Sequence, residues 1–313
     1  MLSRRHIRIK VLQALYSFSH DGDKGLSAGE RKLRKSIEDI YRLYLHELRV
    51  LHLLHSFAEE RIALKKQKKL PTHEDLNPKL NFVNNRFLRW LEESHPLKSA
   101  WEDHKVNFGE SKEVIRTLFK EILEDDTFNN YLNQERTTLA EDKKLVKYLY
   151  GTYVVENETL HQVYEDHSLH WADDLDVAQM MVTKTLKQFN EASDETTPLP
   201  KLIKDEDDLD FALKLFRKTI NEGKQLEPRI QEKAKNWETE RIAQVDYLLL
   251  KMGLAELIHF EQIPIKVTLN EYIEIAKQYS TPKSGNFVNG IMDRIKDEML
   301  ESRQIRKIGR GLL

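Results

Sequence analysis

Residues 4–20 read RRHIRIKVLQALYSFSH, and their apolar side chains recur with the period of a helix. The apolar positions that share the i, i+4 and i+7 spacing are Ile7, Val11, Ala14, Leu15 and Phe18. This spacing predicts an amphipathic helix from about Arg4 to His20, with one buried apolar face and an exposed basic face.

Helix breakers are scarce in the middle of the chain. Only two glycines lie between Gly29 and Gly223, and no proline occurs between Pro96 and Pro198. Asn-Gly or Asp-Gly turns between alternating strands, the usual sign of a hairpin, are almost absent. The sequence therefore predicts an all-α fold.

The periodicity also predicts the positions of the further helices. A long, highly charged amphipathic helix is expected from Glu30 to Lys69, and a second helical set is built on residues 82–91, 114–123 and 139–164. The long helix carries one apolar stripe: Leu33, Ile37, Ile40, Tyr44, Leu48, Leu51 and Leu54. The acidic, proline-containing stretch 190–200 lacks periodicity and is predicted to be a surface linker.

One short pattern occurs twice. Asp173-Asp-Leu-Asp-Val-Ala178 recurs as Asp207-Asp-Leu-Asp-Phe-Ala212. Acidic residues complement the helix macrodipole at an N-terminus, so two well-started helices are enough to explain the repetition. Two copies are too few for a solenoid.

The overall charge does not favour a nucleic acid. The 313 residues contain 50 Lys and Arg against 52 Asp and Glu, a formal net charge of -2, so any affinity for nucleic acid must come from a local patch. The absence of cysteine excludes disulfides and thiol chemistry and suits a reducing compartment. We expect a cytoplasmic protein with no signal peptide and no membrane association.

The densest uncompensated basic cluster lies in the first ten residues, which contain no acid. It consists of Arg4, Arg5, His6, Arg8 and Lys10. Positive charge in a first helical turn opposes the macrodipole by a few tenths to about 1 kcal/mol per group, so helix stability does not explain the cluster. Two interpretations remain: contacts to phosphate, which the planar guanidinium suits, or a solubilising, frayed N-terminus.

Two distant segments together resemble a known family. Residues 4–16 resemble the arginine-rich first helix of the NusB family, which ends in Gln-Ala-Leu-Tyr. The segments IPIKVTLNEYIEIAKQY (263–279) and SGNFVNGIMD (284–293) resemble the paired C-terminal helices of that family, in the same order, and residues 241–257 resemble its central helix. The resemblance covers the first helix and roughly residues 205–300.

The resemblance implies a NusB-like helical bundle that is interrupted by an inserted helical region. The expected organisation is a first helix at 1–20, a helical insertion at 21–200, and the remainder of the bundle with a basic tail at 201–313. The implied function is transcription antitermination: binding of boxA-like single-stranded RNA together with the ribosomal protein NusE, as part of an RNA polymerase antitermination complex. The RNA-binding residues that it suggests are Arg4, Arg5, His6, Arg8 and Lys10. Lys283 is a further candidate on physical grounds, because the free N–H groups at the N-terminus of the last helix beside it could bind a phosphate. The favoured alternative is an ordinary loop in which Ser284 caps that helix.

The sequence also departs from the family pattern. His6 stands where arginine is common and Asn286 where lysine is common, so two positive charges are weakened or missing. A protein-binding scaffold in rRNA transcription or ribosome biogenesis, with weak or no RNA binding, is therefore the alternative. A third hypothesis, an accessory subunit of an RNA-modifying enzyme, rests on the occurrence of NusB-like domains in RNA methyltransferases. The basic tail, residues 303–310, is interpreted as solvated, with replacement phosphate contacts as the alternative.

No catalytic, cofactor or metal motif is found. G-x-G-x-x-G, the Walker sequence, G-x-S-x-G and H-E-x-x-H are all missing. Two histidine groups, at 46–55 and 161–170, lack a recognised ligand framework and are interpreted as structural or solvent-facing. We therefore expect a protein that is not an enzyme and needs no cofactor.

Overall fold

The computed structural model describes residues 2–20, 25–168, 170–203, 206–235 and 243–312. Within these ranges the regular structure is helical and contains no strand, which confirms the predicted all-α class. The helices are α1 (Arg4–His20), α2 (Leu26–Lys66), α3 (His73–Leu76), α4 (Arg86–Glu93), α5 (His95–Asp103), α6 (Lys112–Leu123), α7 (Asp126–Leu132), α8 (Leu139–Leu149), α9 (Glu158–His167), α10 (Trp171–Gln188), α11 (Glu206–Ala234), α12 (Gln244–His259), α13 (Ile265–Tyr279) and α14 (Ser284–Glu301).

The described chain forms two compact units. Residues 38–202 form one, here called the insertion unit, and residues 2–37 with 203–312 form the other, here called the bundle unit. Helix α2 contributes to both, since the division falls after Ile37. The sequence boundaries at 20/21 and 200/201 remain a prediction, and residues 21–24 lie outside the described ranges.

The insertion unit is built around the stripe of α2. The predicted stripe residues from Ile40 to Leu54 are all at most 2 % exposed, as periodicity required. Around them pack aromatic side chains from the later helices, including Trp101, whose indole N–H donates to the Leu45 carbonyl at 3.0 Å. The predicted linker at 190–200 contains no helix, although the Asp194 carbonyl accepts a 2.8 Å hydrogen bond from the Trp90 indole.

The segment 139–164 of the predicted second helical set is divided into two helices. Helix α8 ends at Leu149, a π-helical turn follows from Tyr150 to Val154, and α9 starts at Glu158. The side chain of Asn157 accepts the backbone N–H of Leu160 at 2.8 Å and so caps α9. An amide that satisfies a free N–H favours a new helix start at this point.

The bundle unit consists of α1, the start of α2 and α11 to α14. Helix α1 packs against α11, α12 and α13, and the last two helices pack against each other. Both repeated acidic segments lie in the first turn of a helix, α10 and α11, which agrees with helix starts as the reason for the repetition. The predicted central helix is α12, which begins at Gln244, while residues 241 and 242 lie outside the described ranges.

Two polar residues of the bundle unit that have the spacing of helix caps, Thr268 and Ser284, have other roles. Helix α13 starts at Ile265, after Pro264, so Thr268 is not a cap: its hydroxyl is buried and donates to Glu256 at 2.8 Å. Ser284 likewise does not cap α14, because its hydroxyl donates to Asp246 at 2.7 Å. Asn270 and Asn289, in the same two helices, are both exposed.

No helix in the described ranges is long and apolar enough to span a membrane.

Candidate nucleic-acid interface

The middle turns of helix α1 are buried on all sides, whereas the sequence predicted burial along one face only. Six consecutive residues, 7–12, are buried, and they include Arg8 at 2 % and Lys10 at 1 % exposure. Apolar neighbours on several sides bury a helix all round. The predicted exposed basic face is therefore confined to the first turn, Arg4 and Arg5, with His6 half-buried.

Arg8 is held inside the bundle unit by Glu256 of α12. Its Nε and one terminal nitrogen donate to the two carboxylate oxygens at 2.8 and 2.7 Å, and Glu256 is fully buried. The hydroxyls of Thr268 and Tyr272 donate to the same carboxylate at 2.8 and 3.0 Å. Burial disfavours the charged form of Arg8 and lowers its pKa. The attraction of the Glu256 carboxylate outweighs this effect of burial, so the pKa of the guanidinium is raised. A buried ion pair whose oxygens are all hydrogen-bonded fixes α1 against α12 and α13.

A groove of about 650 Å³ lies in front of this pair, here called the basic groove. Its apolar part comes from the segment before α13 and from the exposed side of that helix, where Val267 is 43 % exposed. Its charged rim comes from α1, from α13 and from the chain after α14. The lining residues used below are Arg4, Arg5, His6, Gln262, Glu271 and Arg310.

Both exposed arginines that α1 contributes to the rim already have acidic partners. Arg4 donates to Asp208 at 3.2 Å, and Arg5 forms a bidentate pair with Glu271 at 2.9 and 2.8 Å. Their side chains are 46 % and 44 % exposed. The hydrogen bond from Arg5 lowers the pKa of the Glu271 carboxyl, which keeps this acid ionised. Exposed ion pairs of this kind contribute about 0–1 kcal/mol, so a phosphate group can compete for either arginine.

The basic tail is not solvated along its whole length, contrary to the favoured interpretation. Ile305 is 6 % exposed, the Ile308 N–H donates to the Glu261 carbonyl at 3.1 Å, and the Lys307 ammonium donates to the Phe260 carbonyl at 3.0 Å. A Cβ at Gly311 would lie 1.9 Å from the Glu261 oxygen, so only glycine fits this approach.

The folded tail brings Arg310 to the basic groove. Arg310 is exposed and has no ion pair with a described residue, unlike Arg4 and Arg5. Its charge is not neutralised by any described acid and is therefore available to bind an anionic ligand.

The predicted RNA-binding residues are thus divided by the structure. Arg4, Arg5 and His6 line the basic groove together; Arg8 lines it too, but its guanidinium is committed to Glu256. Lys10 is buried and is not among the lining residues, and Lys283 is exposed beside the N-terminus of α14, also outside the groove. Arg8 or Lys10 would have to leave the interior to contact a phosphate. The periodicity of the helix did not reveal that these two side chains are buried.

Sequence reasoning missed the acids and the apolar part of the site. Glu256, Glu271 and Asp208 lie far along the chain from α1, and nothing in their local sequence marks them as partners of arginines. Arg310 was noted as part of a basic tail, but its place in the groove depends on how the tail folds.

The described residues contain no cluster of three or more histidine, aspartate or glutamate side chains with the geometry to hold a metal ion.

Comparison with known proteins places this bundle in a family. The NusB family model matches residues 174–297. The chain is 47 % identical over 104 residues to the transcription antitermination protein NusB of Salinibacter ruber and 40 % identical over 104 residues to that of Chloroherpeton thalassium, each alignment covering 33 % of this chain. It is 36 % identical over 120 residues, 38 % of this chain and 82 % of the relative, to the protein of the same name of Geobacter sp. strain M21.

The fold and these matches define an all-α protein with a NusB-like helical bundle. The chain belongs to the NusB family. The alignments cover 65 % and 49 % of the lengths of the Salinibacter and Chloroherpeton proteins. The family model begins at Asp174, within the segment assigned to the insertion, and does not include α1. No match to a solved structure was found.

Proposed function

We propose that this protein is a non-catalytic transcription antitermination factor that binds boxA-like single-stranded RNA together with the ribosomal protein NusE, within an RNA polymerase antitermination complex. The basic groove is the observation that carries the proposal. It combines cations at its rim, which suit phosphate groups, with the guanidinium planes of its arginines and the ring of His6, on which unpaired bases can stack.

The proposed phosphate contacts are Arg4, Arg5 and Arg310, with His6 beside them. Arg4 and Arg5 exchange their carboxylate partners for phosphate oxygens, and Arg310 needs no exchange because it has no ion pair with a described residue. The guanidinium fork suits phosphate geometry, and the neighbouring apolar surface accommodates an unpaired base. Arg8 does not contact the RNA in this proposal. It fixes the position of α1, which carries Arg4 and Arg5.

Lys283 supplies a separate contact in this proposal. It precedes the first turn of α14, whose backbone N–H groups favour an anion, and it is exposed. Because it does not line the basic groove, its substitution tests whether the RNA extends beyond the groove.

The experiment is a titration of a fluorescent boxA-type RNA with the full chain, with and without NusE, at several salt concentrations. An Arg4→Ala/Arg5→Ala variant removes the two rim cations of α1 but spares Arg8, whose loss would disturb the fold. Lys224→Ala/Lys235→Ala is the matched control, since it removes two exposed lysines of the bundle unit outside the groove. We expect the first variant to weaken binding and flatten its salt dependence, and the control to behave as wild type. Equal binding by wild type and both variants would contradict the proposed site.

The scaffold function is the second candidate, and one observation favours it. Two cations that the family resemblance suggested for RNA binding, Arg8 and Lys10, are buried, and the two exposed arginines of α1 have acidic partners. Absence of RNA binding both with and without NusE would support the scaffold over the antitermination factor.

A further inference from the structure

Two adjoining grooves lie on the insertion unit, where the C-terminal part of α2 meets α6. Each has a volume of about 340 Å³. They share Arg61 and Lys65 of α2 and Phe119 and Leu123 of α6, and so form one continuous surface, here called the α2–α6 surface. It involves residues 57–132 of the insertion unit and is separate from the basic groove.

The charge of this surface departs from the balance of the whole chain. The groove at α6 is lined by five cations and one acid, Glu60, and the other groove adds one cation, Lys79, and two acids, Glu74 and Glu124. The chain as a whole, by contrast, carries 50 cations and 52 acids. The five cations are Arg61, Lys65, Lys68, Arg116 and Lys120. Three of them have an acidic neighbour within the unit, but Arg61 and Lys120 have no ion pair with a described residue. The surface therefore offers unmatched positive charge to a partner.

Exposed aliphatic side chains lie on the same part of the unit. Leu64, on the wall of the α6 groove, is 62 % exposed, and Leu76, in the segment that lines the other groove, is 55 % exposed. Leu80 is 44 % exposed a few residues further on. The floor of the second groove is formed by the rings of Phe82, Phe119 and Phe128. Exposed apolar groups beside an apolar groove and a cationic rim are typical of a protein interaction site.

The same contacts disfavour RNA as the occupant. Single-stranded RNA stacks its bases on exposed aromatic faces, but Phe57 and Phe119 in the α6 groove are 7 % and 5 % exposed. The guanidinium of Arg116 covers the ring of Phe57 at 4.2 Å. An RNA complex would satisfy the cations and leave the leucines in water, whereas an acidic amphipathic peptide would cover both.

We propose that the α2–α6 surface is the docking site for an acidic amphipathic segment of a partner protein. Leucine or phenylalanine side chains on one face of that segment enter the two grooves. Glutamate or aspartate side chains on its flanks pair with Arg61, Lys120 and the neighbouring lysines. A helix presents such anchors at i, i+3, i+4 and i+7, which matches this mode of recognition.

The test is a selection from a phage-displayed library of random 16-residue peptides on the immobilised full chain. The selected peptides are then synthesised, labelled and measured by fluorescence polarisation against wild type and variants. Arg61→Glu/Lys120→Glu reverses the two cations that have no ion pair with a described residue, and Leu64→Ser removes the exposed anchor contact. Lys98→Glu/Lys147→Glu is the matched control, because both lysines are exposed on the insertion unit and lie outside the two grooves. Circular dichroism melting establishes that every variant is folded.

The proposal requires enrichment of peptides that combine acids with leucine or phenylalanine at helical spacing. It also requires at least a tenfold loss of affinity in Arg61→Glu/Lys120→Glu, a measurable loss in Leu64→Ser and no loss in the control. Selected peptides without acids, no enrichment at all, or equal binding to the charge-reversed variant would overturn it. A labelled random 40-nucleotide RNA is titrated in parallel; RNA binding that only the Arg61→Glu/Lys120→Glu variant loses would assign the surface to nucleic acid instead.

Discussion

Arg8 of α1 and Glu256 of α12 form a bidentate ion pair in the interior of the bundle unit, with N–O distances of 2.8 and 2.7 Å and at most 2 % exposure. The two residues are 248 positions apart in the chain, and their pair joins α1 to α12. Arg8, which the family resemblance suggested for RNA binding, thus has a structural role in the bundle unit.

Removal of one member of this pair is expected to destabilise the protein strongly. Arg8→Met leaves the Glu256 carboxylate buried without its cation, which costs about 3–5 kcal/mol for pairs of this type. Urea unfolding followed by circular dichroism measures the loss. The double variant Arg8→Met/Glu256→Leu should recover part of it, because it buries no unpaired charge. A single variant as stable as wild type would show that the interior ion pair is not needed.

Neutralising Glu271 is expected to strengthen RNA binding. Glu271→Gln removes a negative charge from the rim and releases Arg5 from its carboxylate partner. One exposed charge at close range is worth about 1 kcal/mol, or roughly a fivefold gain in affinity at low salt. Fluorescence polarisation with a boxA-type RNA measures the gain, with Glu301→Gln, an exposed acid outside the groove, as the control. Weaker binding would mean that Glu271 is needed to orient Arg5.

Arg310 should contribute to RNA affinity although it lies beyond the residues that the family model matches. Arg310→Gln is expected to weaken binding severalfold and to reduce the salt dependence by about one phosphate contact. The matched control is Arg306→Gln, which removes an exposed arginine of the same tail that does not line the groove. Equal losses in both variants would indicate an unspecific effect of tail charge.

The buried carboxyl of Glu47 in the insertion unit should make stability depend on pH. Burial raises its pKa to about 7, while the hydrogen bond from Tyr150 opposes the shift. Because the pKa of Glu47 is higher in the folded state, its neutral carboxyl stabilises the fold fully below the unfolded pKa of about 4.3. This stabilisation is lost as the pH rises through 7. Between these values the wild type should lose up to about 1.4 kcal/mol per pH unit from this group.

The comparison variant for this effect is Glu47→Gln, which cannot ionise. Urea unfolding at pH 5, 6, 7 and 8 should show a flatter alkaline decline in Glu47→Gln than in wild type. His46, whose pKa burial lowers to about 3, contributes a loss toward acid in both proteins and so cancels in the difference. Parallel stability curves would show that Glu47 ionises normally.

Much of the fold follows from the sequence because it depends on local patterns. The stripe from Leu33 to Leu54 predicts the long helix, since its residues repeat at helical spacing and all of them are buried. Helix bounds were less well predicted where a polar side chain could either cap a helix or form a hydrogen bond within the core. Thr268 has the spacing of a cap, yet its hydroxyl bonds to Glu256, which no local pattern shows.

The sequence by itself determined that the chain is helical, that its first helix carries a dense group of cations, and that its ends resemble one family. Only the tertiary structure decided which of those cations face solvent. Arg4 and Arg8 share one side of α1 by spacing, but Arg4 is 46 % exposed and Arg8 is 2 % exposed. The reason is physical: helical periodicity gives the direction of a side chain, whereas its burial depends on the neighbour that packs there. For Arg8 that neighbour is Glu256, on a helix that only folding brings to its side.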